Sequence, residues 1–231
     1  MGHQSFISVA VLPIPNLVFY PNTSLPLYIV DSRHVKMVHD CIATCRRLAV
    51  SLIDTKGGVG GGRNSPRAIC TSGTPQIIET LEDGSIKVLL VGESRIKLLS
   101  LKQSLPFMVY SAEEIPDILE SSDLPDNFGV GRLLTILKKW AKENINDSSE
   151  RERFINSACT PKNIADAVSM YMIADPEIRQ LLLENVHLNE RVQMLTSLFK
   201  DNIHIEDSKT AEAIKFYESM DQDLIDRKIA H

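Results

Sequence analysis

The apolar residues of this chain change period partway along it. Up to about residue 118 they recur in short alternating or continuous runs bounded by Pro, Gly and Asn, and from Asn127 onward they recur every three to four residues. Alternation lines one face of a strand, whereas the longer period lines one stripe of a helix. One kind of element cannot satisfy both patterns. The expectation is an α+β protein: a small β-barrel with one helix over residues 1–118, then an α-helical bundle over 124–231 that ends in a long polar helix.

In the first half, Phe6–Leu12 reads as a strand that stops at Pro13 and Pro15, because proline has no amide to donate to a ladder. A second strand is expected at Leu25–Val30, after the Tyr20-Pro21-Asn22 turn. Asp31 and Ser32 are N-cap candidates for a helix carrying Val35, Val38, Ile42 and Cys45 at helical spacing. That helix is expected to stop near Arg46–Arg47, where positive charge suits the helix dipole. Leu48–Ile53 reads as a buried strand. Gln76–Leu81 and Ser85–Val91 flank Glu82-Asp83-Gly84, a hairpin signal, since Asp-Gly readily takes positive φ. Strands at Arg95–Leu101 and Met108–Glu113 complete the set.

In the second half, Leu133, Leu134, Leu137, Trp140 and Ala141 mark one amphipathic helix, and a short one is expected around Arg151–Asn156. Thr160-Pro161 and Asp175-Pro176 each join a capping residue to a proline suited to the first helical position. A further helix begins near Leu188, and the last is expected from Asp207 to about Ile229.

Several kinds of chemistry find no support. Lys56–Arg67 contains Gly57-Gly58-Val59-Gly60-Gly61-Gly62, yet Arg63-Asn64-Ser65-Pro66 follows where a phosphate loop needs Lys-Ser/Thr and a helix. A surface loop is the better reading. Cys41 and Cys45 stand four apart on a predicted helix beside His34 and His39, but without the tight-turn spacing of a structural zinc site. Four cysteines in 231 residues are not a disulfide framework. No serine occupies a Gly-x-Ser-x-Gly elbow. The expectation is therefore no catalytic, cofactor-binding or metal-binding residue. The net charge is −5, with 11 Lys and Arg against 10 Asp and Glu up to Asp117 and 14 against 20 beyond it. Phosphate-driven nucleic-acid binding needs clustered cations, so no nucleic-acid partner is expected. No apolar run suggests a signal peptide or membrane span, and the expected location is cytoplasmic.

The ordered series Leu12-Pro13-Ile14-Pro15-Asn16-Leu17-Val18-Phe19-Tyr20-Pro21-Asn22, then Ser24-Leu25-Pro26-Leu27-Tyr28, resembles the opening of the N-terminal, substrate-binding domain of the Lon protease family. Ile77-Ile78-Glu79, Asp83-Gly84-Ser85 and Gly92-Glu93-Ser94-Arg95 are similar to its central hairpin, and Pro106-Phe107-Met108-Val109 to the entry of its last barrel strand. Pro161-Lys162-Asn163-Ile164 and Leu188-Asn189-Glu190-Arg191 resemble its bundle. The resemblance spans roughly Phe6 to Phe199 and implies a PUA-like barrel followed by helices. It also implies recognition of unfolded, damaged or degron-bearing polypeptides on behalf of a separate protease or ATPase, without the ATPase and peptidase parts. RNA or a small ligand on the barrel is the alternative. Polypeptide recognition needs exposed apolar surface. Phe19, Tyr20, Tyr28, Phe107 and Tyr110 are the candidates, with Tyr20 on a turn and Tyr28 on an edge strand expected to be partly exposed.

Overall fold

A computed structural model describes residues 6–54, 59, 65–118 and 127–199. Its first half holds strands β1 (Ile7–Ile14), β2 (Ser24–Ile29), β3 (Leu48–Asp54), β4 (Ser65–Pro66), β5 (Ile69–Thr80), β6 (Ile86–Gln103) and β7 (Met108–Glu114), with helix α1 (Ser32–Thr44) after β2. Antiparallel pairing runs β1-β7-β6-β5-β3, and a parallel β1–β3 pairing from Ala10↔Leu48 to Ile14↔Leu52 closes the ring. Strand β2 lies off this ring and pairs only with β6 among the described strands.

The segment expected as two strands, Ser85–Val91 and Arg95–Leu101, is one long strand. Gly92-Glu93-Ser94 does not turn the chain back, because it lies where β6 meets the register shift of β5 at Ser72/Gly73. Two glycines make the crowding there tolerable. A Cβ on Gly92 would stand 2.3 Å from the Tyr20 carbonyl oxygen, and one on Gly73 would stand 1.9 Å from that of Val91. The β5–β6 turn follows its sequence: Gly84 takes φ 83°, and the Asp83 carboxylate accepts from the Ser85 amide and hydroxyl.

Helix α1 opens as expected, with the Asp31 carboxylate accepting from the Arg33 amide. Its end differs from the expectation. Cys45 enters the left-handed region at φ 52°, so its amide reaches back to the Cys41 and Ile42 carbonyls and closes the helix before the arginines. Arg46 then pairs with Asp40, and Arg47 with Glu93 and Glu114. Cys41 is buried and Cys45 exposed, so the two thiols do not face one another.

The second half holds α2 (Asn127–Asn144), α3 (Ser148–Ser157), α4 (Pro161–Met172), α5 (Pro176–Glu184) and α6 (Leu188–Leu198). The Thr160 hydroxyl caps α4 through the Asn163 amide, and the Asp175 carboxylate caps α5 through Glu177 and Ile178, each beside a proline in the first turn. The helix expected from Asp207 lies outside the described residues.

Strand alternation divides the apolar residues between two clusters. Val9 and Val11 of β1 join Ala49, Cys70, Ile96, Leu98, Tyr110 and Ala112 in a small cluster made by the strands. Ala10 and Leu12 turn the other way, into a large cluster that runs from the strands and α1 through Leu133, Val168, Leu182 and Leu195 of the bundle. Barrel and bundle thus share one apolar core. No described helix is long and apolar enough to cross a membrane.

Candidate functional site

Four of the five aromatic candidates lie in the interior. Phe19 and Tyr20 are both 0% exposed, Tyr110 is 1% and Phe107 is 8%. The expected exposure of Tyr20 is overturned, because the turn that carries it is tucked under the sheet rather than raised above it. The Thr71 hydroxyl donates to the Phe19 carbonyl, and Gly92 leaves room for both residues. The Tyr20 hydroxyl then crosses into the bundle and donates to the Arg179 carbonyl at 2.5 Å. Tyr110 packs in the smaller cluster and donates to the Val59 carbonyl, which ties one described residue of the glycine-rich segment to the barrel. Of Lys56–Arg67, only Val59 and Ser65–Arg67 lie within the described residues.

Tyr28 is different, at 54% exposed. It sits on β2 opposite Lys87, and its hydroxyl shares a hydrogen bond of 3.0 Å with that of Ser85 at the hairpin end. Cross-strand partners share a face of a sheet. Leu25, Leu27 and Ile29 therefore point with Leu90, Val88 and Ile86 into the large core, while Ser24, Pro26 and Tyr28 point with Val91, Leu89 and Lys87 to the other side. On that outer side Val91 is exposed, and Pro26 and Leu89 are half-buried. Tyr28, Pro26, Leu89 and Val91 form an apolar patch beside a Lys87–Glu79 ion pair of 2.8 Å. Tyr28 was legible in the sequence, whereas Leu89 and Val91 were not. Only the β2–β6 register puts the three together.

The backbone of β2 adds a second feature. The Gly92 amide donates to the Thr23 carbonyl at 2.9 Å, one residue beyond the Ser24↔Val91 pair that starts the β2–β6 register. In an antiparallel ladder, bonded and non-bonded pairs alternate. Leu25, Leu27 and Ile29 therefore bond to β6, while the amides and carbonyls of Ser24 and Tyr28 and the carbonyl of Pro26 point away from it. Two observations agree with this. Pro26 has no amide to lose, and the Tyr171 hydroxyl of α4 meets the Ser24 amide and carbonyl, each at 3.4 Å. Tyr171 itself is held in a ring cluster, 5.7 Å from Trp140 and 5.4 Å from Phe154.

A buried ion network joins the two halves. Asp117, just past β7, accepts from Arg95 of β6 at 2.7 Å and from Arg191 of α6 at 2.9 Å, with Lys162 of α4 at 3.3 Å. Arg191 also donates to Asp166 of α4 at 2.9 Å. Arg191 and Asp166 have no exposed surface. Burial pushes the Asp166 carboxyl up to about 6 against the attraction of Arg191. Burial also opposes the charge of Asp117, but Arg191 and Arg95 together hold it below the usual carboxylate range. The next residue, Ile118, donates its amide to Val186 between α5 and α6, so the barrel's exit is fastened to the bundle. Among the described residues, no three His, Cys, Asp or Glu side chains gather as a metal site.

A small barrel closed by one parallel pairing and bound through a buried ion network to a helical bundle defines an α+β barrel-and-bundle domain. The chain belongs to the ATP-dependent protease La (LON) substrate-binding domain family, whose model matches residues 8–201. The match is to that substrate-binding domain and not to a peptidase domain. The chain is 22% identical over 207 residues to Lon protease of Buchnera aphidicola, covering 87% of this chain and 26% of that protein. It is 26% identical over 195 residues to Lon protease of Anaeromyxobacter dehalogenans, covering 81% and 22%. It thus spans about a quarter of the length of these relatives. Among solved structures it is similar to the N-terminal domain of Mycobacterium avium complex Lon protease, with TM-score 0.61 and 16% identity over 85% of this chain and all of that one. It is also similar to a Lon N-terminal domain protein from Xanthomonas campestris, with TM-score 0.58 and 18% identity over 82% of this chain and 97% of that one.

Proposed function

We propose that this chain is a non-catalytic recognition module that binds unfolded, damaged or degron-bearing polypeptides in the cytoplasm and presents them to a separate protease or ATPase. Membership of a substrate-binding family supports a role in substrate recognition. The observation that carries the choice of surface is the outward apolar patch of Tyr28, Pro26, Leu89 and Val91, set on a sheet whose other side is core. Exposed apolar area on a rigid support is what a partner rich in uncovered apolar side chains binds. In this reading the barrel subdomain, 1–118, carries the contact face, and the bundle subdomain, 124–231, braces it. The net charge of −5 does not favour a phosphate backbone as partner.

The test is fluorescence anisotropy with a labelled, reduced and alkylated polypeptide, beside ATP and casein turnover assays on the same preparation. Saturable binding that changes little between low and moderate salt, with no turnover of either substrate, is expected. Absence of binding, or turnover abolished by a single substitution, overturns the proposal.

A further inference from the structure

We infer that the outer edge of β2 takes up a short extended polypeptide by main-chain pairing, as one added strand centred on Tyr28. This rests on the polypeptide-binding reading above and specifies how that surface holds its partner. The outward groups of β2 are fixed by the Thr23–Gly92 bond and the alternation that follows from it. The Ser24 pair is taken by the Tyr171 hydroxyl. Pro26 offers a carbonyl and no amide. Tyr28 offers both an amide and a carbonyl, and among the described residues no strand but β6 pairs with β2. Among the described residues, three adjacent groups in a row therefore have no strand partner: the Pro26 carbonyl, the Tyr28 amide and the Tyr28 carbonyl. Only a backbone in extended form presents donors and acceptors at the matching spacing. A helix satisfies its own groups, and a nucleic acid has no such ladder.

Side chains set the preference. A residue directly opposite Tyr28 on the added strand lies on the same face as its ring, next to Pro26 and in line with Leu89. The ring is steadied by the Ser85 hydroxyl, which in turn donates to the Asp83 carboxylate, while Lys87 on the facing strand is paired with Glu79. The edge thus selects an extended segment with an apolar or aromatic residue at the central position and at every second position from it. Tyr171 at one end and Pro26 in the middle keep the paired stretch short.

The experiment uses the full chain and a labelled apolar peptide of about ten residues, long enough to span a strand. Three arms are read together. Both Tyr28→Ala and Tyr28→Pro remove the ring, but only the second removes the outward amide, and neither touches the ladder to β6. Tyr28→Pro is expected to bind roughly tenfold more weakly than Tyr28→Ala, as a lost hydrogen bond plus a ring projecting into the partner strand requires. With the native chain, N-methylation of the peptide at one set of alternate residues is expected to weaken binding by about tenfold or more, and at the other set far less. This arm decides the matter even where Tyr28→Pro does not fold. In hydrogen exchange, the Tyr28 amide of the free chain is expected to exchange freely and to become protected when peptide binds.

Equal affinities for the two Tyr28 variants, or equal effects of the two methylation sets, place binding on side chains alone and overturn the inference while polypeptide recognition stands. A Tyr28 amide already protected in the free chain shows the edge filled by this chain or a second copy, and likewise overturns it. Failure of the native chain to bind any unfolded polypeptide sinks the parent proposal instead.

Discussion

Arg191→Met removes the guanidinium that bonds Asp166 and Asp117 while nearly keeping its side-chain volume. Asp117 keeps Arg95 and Lys162, so its loss is partial. Asp166 is fully buried, and its Arg191 ion pair is broken. Breaking one side of a buried pair costs about 3–5 kcal/mol, because the remaining charge is stranded away from water. For a chain of this size that lowers Tm by roughly 6–20 °C. Urea unfolding followed by the fluorescence of Trp140, the only tryptophan, measures the loss. The deficit depends on pH with a definite sign. Burial holds Asp166 at about 6 in the folded chain, against the ordinary 3.8 of a carboxyl in water. Between those values the folded state binds more protons than the unfolded one, so acidification from pH 7 towards 5 favours folding at this residue. A neutral Asp166 no longer needs its arginine. The deficit of Arg191→Met is therefore largest near pH 8 and shrinks towards pH 5. Asp117 is depressed and acts in the opposite sense, its contribution being lost only as pH falls below 3.8 and through its folded value. Adding Asp166→Asn to Arg191→Met recovers a large part of the deficit at pH 8. A deficit under about 1 kcal/mol, or one that does not vary with pH, would refute the assignment of Asp166 as the stranded charge.

Gly92→Ala places a methyl group against the Tyr20 carbonyl and the Phe19 ring, both held by the core, and should destabilise the chain by about 1–3 kcal/mol in the same urea assay. Gly84→Ala, with open space around it but φ at 83°, should cost less, about 1 kcal/mol. The thiols divide by burial: Cys45 and Cys159 are exposed, while burial pushes Cys41 up to about 11 and Cys70 higher still. A thiol reagent at pH 8 should modify two cysteines rapidly in the native chain and four after unfolding.

What the sequence revealed follows from the range over which each signal acts. The barrel-then-bundle order was legible in the change of period, and the caps at Asp31, Thr160 and Asp175 were legible because capping is decided within four residues. Tyr28 could be found because a proline inside an apolar strand marks an edge. Tyr20 misled because turn residues usually face solvent, and nothing local records that another strand passes over this turn at Gly92. The ion network was hidden for the same reason. Arg95, Asp117, Asp166 and Arg191 come from four separate segments, and each alone reads as a surface charge. The faint sign was positional: Asp166 falls among Ile164, Ala165 and Val168, and Arg191 beside Val192, on stripes otherwise reserved for the core.

Pro26 has a meaning for crowded solutions as well as for a single molecule. A sheet rim that offers unbroken amides invites copy after copy to stack into fibres. Here the rim is interrupted by a residue that cannot donate and is plugged near one end by a phenol. A visitor can settle briefly on what is left, but a queue of strands cannot grow from it.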